Sequence, residues 1–89
     1  MEPLFKIGQK VTVKHRKKSE SPADYPCSYV KGMTEYSNKK VTIISYNKLR
    51  YSYEECKFKT FCDGFYYNIK EDGGEYVWSS SMFKEAYEL

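Results

Sequence analysis

No apolar run in this chain approaches the roughly 18 residues that a transmembrane helix requires, and the opening MEPLFKIGQK lacks the apolar core of a secretory signal. A soluble protein of a reducing cytoplasm is therefore expected. Cysteine is sparse too: Cys27, Cys56 and Cys62 are odd in number and form no disulfide framework. The C-x5-C spacing of Cys56 and Cys62 is not that of a zinc knuckle, even with His15 and Cys27 as companions. Neither a metal nor any other cofactor is expected. Histidine occurs once, and His15 sits among cations in VKHRKK, where a solvated strand-end residue would sit. Cys27 could act as a nucleophile beside it, but Pro26 and Ser28 mark a plain loop and no third orienting group is signalled. The acidic pairs Glu54-Glu55 and Glu71-Asp72 are sequence neighbours, whose side chains on a strand point opposite ways. A glycine-rich phosphate loop is also missing, because Gly73-Gly74 belongs to a turn. Catalysis is thus left without a carrier, and a non-enzymatic protein with no small-molecule substrate is expected.

What the chain does have is aromatic surface. Aromatics make up 18% of its 89 residues, and ten of them are Tyr. Tyr buries a ring while its hydroxyl stays wet, which suits a thin, two-sided β-structure. This length supports one domain with one small core, spanning residues 1–89. Charge is uneven along it. Lys6, Lys10, Lys14, Arg16, Lys17 and Lys18 oppose only Glu2 near the start, while Glu71, Asp72, Glu75, Glu85 and Glu88 outnumber Lys70 and Lys84 near the end. Such polarity can steer a charged partner, although a solvated face looks the same.

Period-2 alternation marks the strands. Val11 and Val13 alternate with Thr12 and Lys14. KVTIISYN is β-branched almost throughout, and its apolar residues on both faces predict a central strand. FYYNIKEDGGEYVW predicts a hairpin closed by a tight turn at Asp72-Gly73-Gly74, where positive-φ residues are concentrated. Between Lys17 and Lys40 the alternation lapses into a long loop, for which Tyr25, Tyr29, Met33 and Tyr36 can supply packing. Within it, GMTEYSN has the look of a short helical turn ending near Asn38. SSMFKEAYEL predicts a terminal helical or 3₁₀ turn with Met82 and Phe83 inward. KLRYSYEECKFKTFCDG fits either a hairpin extension or a helix capped by Ser52 and Glu55 and closed by Gly64. The expected fold is mainly β: a small five-stranded barrel with a long first loop, closure covering its edges.

FKIGQKVTVKHR, YVKGMTEYSNKKVTI and FYYNIKEDGGEYVWSSSMF together resemble small SH3-like barrel proteins of phages and prophages of low-GC Gram-positive bacteria. The resemblance implies an SH3-like barrel and an accessory protein that acts on a host protein in the bacterial cytoplasm, with inhibitors of defence nucleases of the anti-CRISPR type as one subclass. It covers most of the chain except roughly residues 15–28 and 48–63. In the resembling proteins the middle strand passes quickly into the Tyr-rich strand, whereas here Lys48 to Asp63 intervene.

That insertion is rich in Tyr, Phe, Lys and Arg, the composition of interface hot spots. Arg50, Tyr51, Tyr53, Lys57, Phe58 and Lys59, with Tyr25 and Tyr29 of the long loop, are the candidate partner-binding residues. Packing of the insertion onto the barrel competes as an explanation for Phe58 and Phe61. A nucleic-acid surface is the alternative, with Lys14, Arg16, Lys17, Lys18, Lys48 and Arg50 against phosphates and rings against bases. The sequence pI near 8.7 and the lack of a recognised signature weigh against it. Trp78 is expected to plug one end of the barrel rather than to offer a ligand platform.

Overall fold

The computed structural model describes residues 2–16, 27, 29–49 and 63–87. Four strands form one antiparallel sheet in sequential order: β1 (Lys10–Thr12), β2 (Lys40–Lys48), β3 (Phe65–Ile69) and β4 (Trp78–Ser79). Among the described residues, three 3₁₀ helices accompany it, Lys31–Tyr36, Ser80–Met82 and Lys84–Tyr87. The protein is thus mainly β, and the short turns predicted around Met33 and after Ser79 are both present. Asn38 ends the first of these regions at a φ of 62°, in the left-handed region where Asn is tolerated.

Alternation explains which face of the sheet is buried. Val11 and Val13, Val41 and Ile43, and Phe65, Tyr67 and Ile69 all point into the core. Trp78, Met82 and Phe83 cover them from the C-terminal side, and Phe5 from the N-terminal side. The long first loop closes over the same core through Cys27, Tyr29 and Met33, with Tyr36 half-buried. Of the packing residues expected there, Tyr25 lies outside the described residues.

β2 is central, as its composition suggested, but not because both faces are covered. Its register shifts between Ile43 and Ser45, and Ile44 is left 43% exposed. The apolar pair Ile43-Ile44 therefore records a bulge, which bends the strand and raises its twist. Curling brings the far ends of the sheet together. Val13 bridges to Phe83, and Lys14 N–H donates to the Met82 carbonyl at 2.8 Å. At the exposed edge of β1, the Thr12 N–H donates to both carboxylate oxygens of Glu85, at 2.7 and 3.0 Å. A side chain thus takes the place that a neighbouring strand would fill. The result is a curled, half-closed barrel with four strands among the described residues, where five were expected.

The β3–β4 connection also differs from expectation. Tyr67 pairs with Trp78 and Tyr66 with Ser79, so residues 70–77 form a wide loop rather than a two-residue turn. Gly73 and Gly74 do adopt positive φ, at 65° and 80°. The loop is organised by Asp72, whose carboxylate accepts from Gly74 N–H at 2.7 Å, Tyr76 N–H at 3.1 Å and the Trp78 indole Nε1–H at 2.9 Å. Widening the loop is what lets one carboxylate collect three donors.

Candidate functional site

Trp78 is fully buried, as expected of a plug. Its ring stacks on Phe83 at 5.8 Å and receives Tyr36 and Tyr76 edge-on at 5.9 and 6.4 Å. The indole N–H is held inward by Asp72 instead of reaching the surface beside Tyr76. Gly32 sits directly against the Tyr76 hydroxyl, where any Cβ would collide with it. Burial first, then the nearby acids, raises the Tyr36 and Tyr76 hydroxyls above their ordinary range: Asp72 and Glu35 act on Tyr36, and Glu75 and Glu35 on Tyr76. Packing and hydrogen bonding account for this corner without a ligand.

The opposite end of the sheet is the mouth of the β2–β3 hairpin. Lys48 pairs with Phe65, and Leu49 N–H donates to the Gly64 carbonyl at 2.9 Å. Lys48 is therefore the last residue of β2, and Asp63 is a buried anchor at 3% exposure. Of the insertion expected at Lys48–Asp63, Lys48, Leu49 and Asp63 are described, and residues 50–62 lie outside the described residues. Arg50, Tyr51, Tyr53, Lys57, Phe58 and Lys59 lie outside the described residues, as does the choice between hairpin and helix for this segment.

Asp63 supports a second cluster that sequence reasoning missed. Its Oδ1 accepts from Phe65 N–H at 3.0 Å, and its Oδ2 accepts from Leu4 N–H at 3.1 Å and from the Tyr67 hydroxyl. The Tyr67 oxygen also accepts from Leu4 N–H at 2.9 Å and Phe5 N–H at 3.4 Å. Burial, followed by the Asp63 hydrogen bond and charge, holds the Tyr67 hydroxyl protonated well above its ordinary value of 10. A groove of about 480 Å³ opens beside it, lined by Glu2, Pro3, Phe5, Lys6, Ile7 and Tyr46. Ile7 is 64% exposed there, the largest exposure among the big apolar side chains described. No local motif could have announced this cluster, because Leu4 and Tyr67 are 63 residues apart.

The remaining site residues fall elsewhere. Tyr29 is 2% exposed and its hydroxyl donates to the Lys14 carbonyl at 2.9 Å, so its ring belongs to the core rather than to an open contact surface. Arg16 lies over that ring at 6.0 Å, and the Lys14 ammonium over Tyr87 at 4.9 Å. His15 is exposed, with Nδ1 3.4 Å from the Ser37 hydroxyl, whereas Cys27 is buried. Val13 N–H donates to the Lys39 carbonyl at 3.0 Å, which places Lys14 and Arg16 beside the start of β2. Lys48 is at its other end, at most about 27 Å away along the bent strand. Lys17, Lys18 and Arg50 lie outside the described residues. Among those described, no three His, Cys, Asp or Glu side chains converge to hold a metal, and no helix is long and apolar enough to cross a membrane. Comparison with protein-family models, with curated proteins and with solved structures finds no match in any of the three.

Proposed function

We propose that this chain is a non-enzymatic protein-binding module on an SH3-like five-stranded barrel, a phage- or prophage-encoded accessory protein that binds and modulates a host protein in the bacterial cytoplasm. The single observation that carries the reading is the closed mouth of the β2–β3 hairpin. Lys48 pairs with Phe65 and Leu49 bonds to Gly64, so the two strands are already joined at the points between which residues 50–62 run in the sequence. A connection of that length where hairpins need two to five residues favours a functional role. Its Arg50, Tyr51, Tyr53, Lys57, Phe58 and Lys59 supply planar rings and cations, which give contact area at low entropic cost. The Val13–Phe83 bridge supports the barrel part of the reading, as the contact that would close it. Modulation of a defence nuclease, as by anti-CRISPR proteins, is the subclass that the resemblance favours.

Replacing residues 50–62 with a short Gly-containing turn tests the reading. The shortened protein is expected to fold, because the mouth is retained, and to lose the partner that the full chain captures from a lysate of a low-GC Gram-positive host. A folded variant that captures the same partner with undiminished affinity overturns it. A nucleic-acid surface is the second reading, favoured by the exposed His15, Lys39 and Lys40 beside Lys14 and Arg16. Separation of Lys48 from that group by the length of β2 weakens it. It requires binding to DNA or RNA whose logarithmic affinity falls steeply with the logarithm of salt concentration. Absence of binding at low salt eliminates it.

A further inference from the structure

The N-terminal segment reaches the core through hydrogen bonds that belong equally to the hairpin mouth. Residues 2–7 run as a strap across the end of the sheet, with no strand pairing of their own. Their far end is tied to β2, where Gly8 N–H donates to the Ile43 carbonyl at 2.7 Å and Ile43 N–H to that of Gln9 at 2.9 Å. Their near end has two attachments. One is the Phe5 ring, edge-on to Tyr67 at 5.4 Å and to Phe83 at 5.7 Å. The other is polar, and it is shared. Leu4 N–H is divided between Asp63 and the Tyr67 hydroxyl, that hydroxyl donates to Asp63, and Asp63 also accepts from Phe65 N–H.

We propose that this knot makes the strap a conformational switch: its seating and the closure of the β2–β3 mouth are one coupled equilibrium. Lifting the strap withdraws Leu4 and Phe5 N–H from Asp63 and Tyr67. The carboxylate then loses one of its three donors, and the tyrosine oxygen loses both of its N–H donors. In a buried site such losses are not made good by water, so the remaining partners rearrange. Asp63 adjoins Gly64, whose carbonyl accepts from Leu49 N–H, so its displacement disturbs the last contact between β2 and the start of β3. Coupling is reciprocal by thermodynamic necessity: whatever shifts the mouth shifts the strap by the same free energy. The groove beside Phe5, Ile7 and Tyr46 is walled by the strap, so its shape follows the same equilibrium as the mouth. The coupling does not depend on the protein-binding reading.

Amide hydrogen exchange on the full chain, without any partner, tests it. Leu4→Pro removes the shared N–H donor, Leu4→Ala keeps it while trimming the side chain, and Tyr67→Phe removes the hydroxyl while keeping the ring. Leu49 and Phe65 report the mouth, Phe5 the strap, and Val13 and Lys70, whose N–H groups donate to Lys39 and Thr42, the rest of the sheet. Leu4→Pro and Tyr67→Phe are expected to accelerate exchange at Phe65 and Leu49 about tenfold or more relative to Val13 and Lys70, with Leu4→Ala doing much less. Acceleration at Phe5 alone would mean an independent strap and would overturn the proposal. Equal acceleration at Val13 and Lys70 would overturn it as well, since the effect is then global stability. Because no partner is present, failure here leaves the binding reading standing, and failure of the loop replacement leaves the coupling standing.

Discussion

Asp63 and Asp72 are both buried carboxylates that accept from an aromatic side chain and from backbone N–H groups, yet they join very different stretches of chain. The donors of Asp72, in Gly74, Tyr76 and Trp78, all follow within six residues. Asp63 takes two donors from the strand that follows it, Phe65 and Tyr67 of β3, and one from Leu4, which is 59 residues away. Asp72 shapes a loop, and its donors Gly74 and Tyr76 lie near the surface. Asp63, itself nearly fully buried, ties the N-terminal strap to a hairpin mouth. The same chemical group is therefore a local turn-former in one place and a tertiary clamp in the other.

The largest expected effect lies at the aromatic partner of Asp72. Trp78→Ala empties the centre of the core and is expected to cost about 3–5 kcal/mol, enough to unfold so small a domain. A cooperative urea transition like that of the parent would contradict the plug assignment. Next comes the direct contrast between the carboxylates. Asp63→Ala strands two buried donors, Phe65 N–H and the Tyr67 hydroxyl, and is expected to cost about 3 kcal/mol, whereas Asp72→Ala strands one, the Trp78 indole, leaves its backbone donors partly open to water and costs about 1–2 kcal/mol. Urea denaturation of the two variants reads the difference, and the reverse order would break the comparison.

A pH series sharpens it. The folded-state pKa of Tyr67 lies above its unfolded value of 10. Its contribution is thus fully present below pH 10 and is lost as pH rises beyond it, because only the unfolded chain releases the proton. Stability should fall by up to about 1.4 kcal/mol per pH unit from this group above pH 10. Tyr67→Phe should be less stable near neutrality yet show a shallower alkaline decline, measured by urea unfolding in buffers on either side of pH 10. An unchanged slope would assign the decline to Tyr36, Tyr76 and other groups. The smallest effect concerns the edge of β1: Glu85→Ala frees Thr12 N–H to a half-exposed position, costing about 1 kcal/mol. Thr12 exchange should accelerate while Val11 exchange does not.

Local preference acts over a few residues, and features of that range were legible in the residues themselves. Alternation of Val11 and Val13 and the β-branched run at 41–44 predict strands that are present. Gly73 and Gly74 do take the positive φ that the turn reading required. The clustering of Trp78, Met82 and Phe83 after a strand predicts their burial, since so short a chain has few large rings to spare from its core. Arg50, Tyr51, Tyr53, Lys57, Phe58 and Lys59 were singled out by composition and by the insertion that the resemblance implies, and they lie outside the described residues.

Tertiary structure alone decided where polar groups and charges end up. Ile44 reads as a buried central-strand residue until the bulge turns it outward. Tyr29 reads as a contact ring until the long loop folds it onto the end of β1. The basic residues Lys14, Arg16 and Lys48 read as one strip, and the course of β2 sets them at opposite ends. Asp63 stands in an Asp-Gly pair that signals only a turn, and nothing near it announces Leu4. The physical reason is common to all four cases. A hydrophobic period or a glycine's φ is a property of adjacent residues, whereas the partner that satisfies a buried polar group, or the neighbour that covers an apolar one, comes from wherever the folded chain returns.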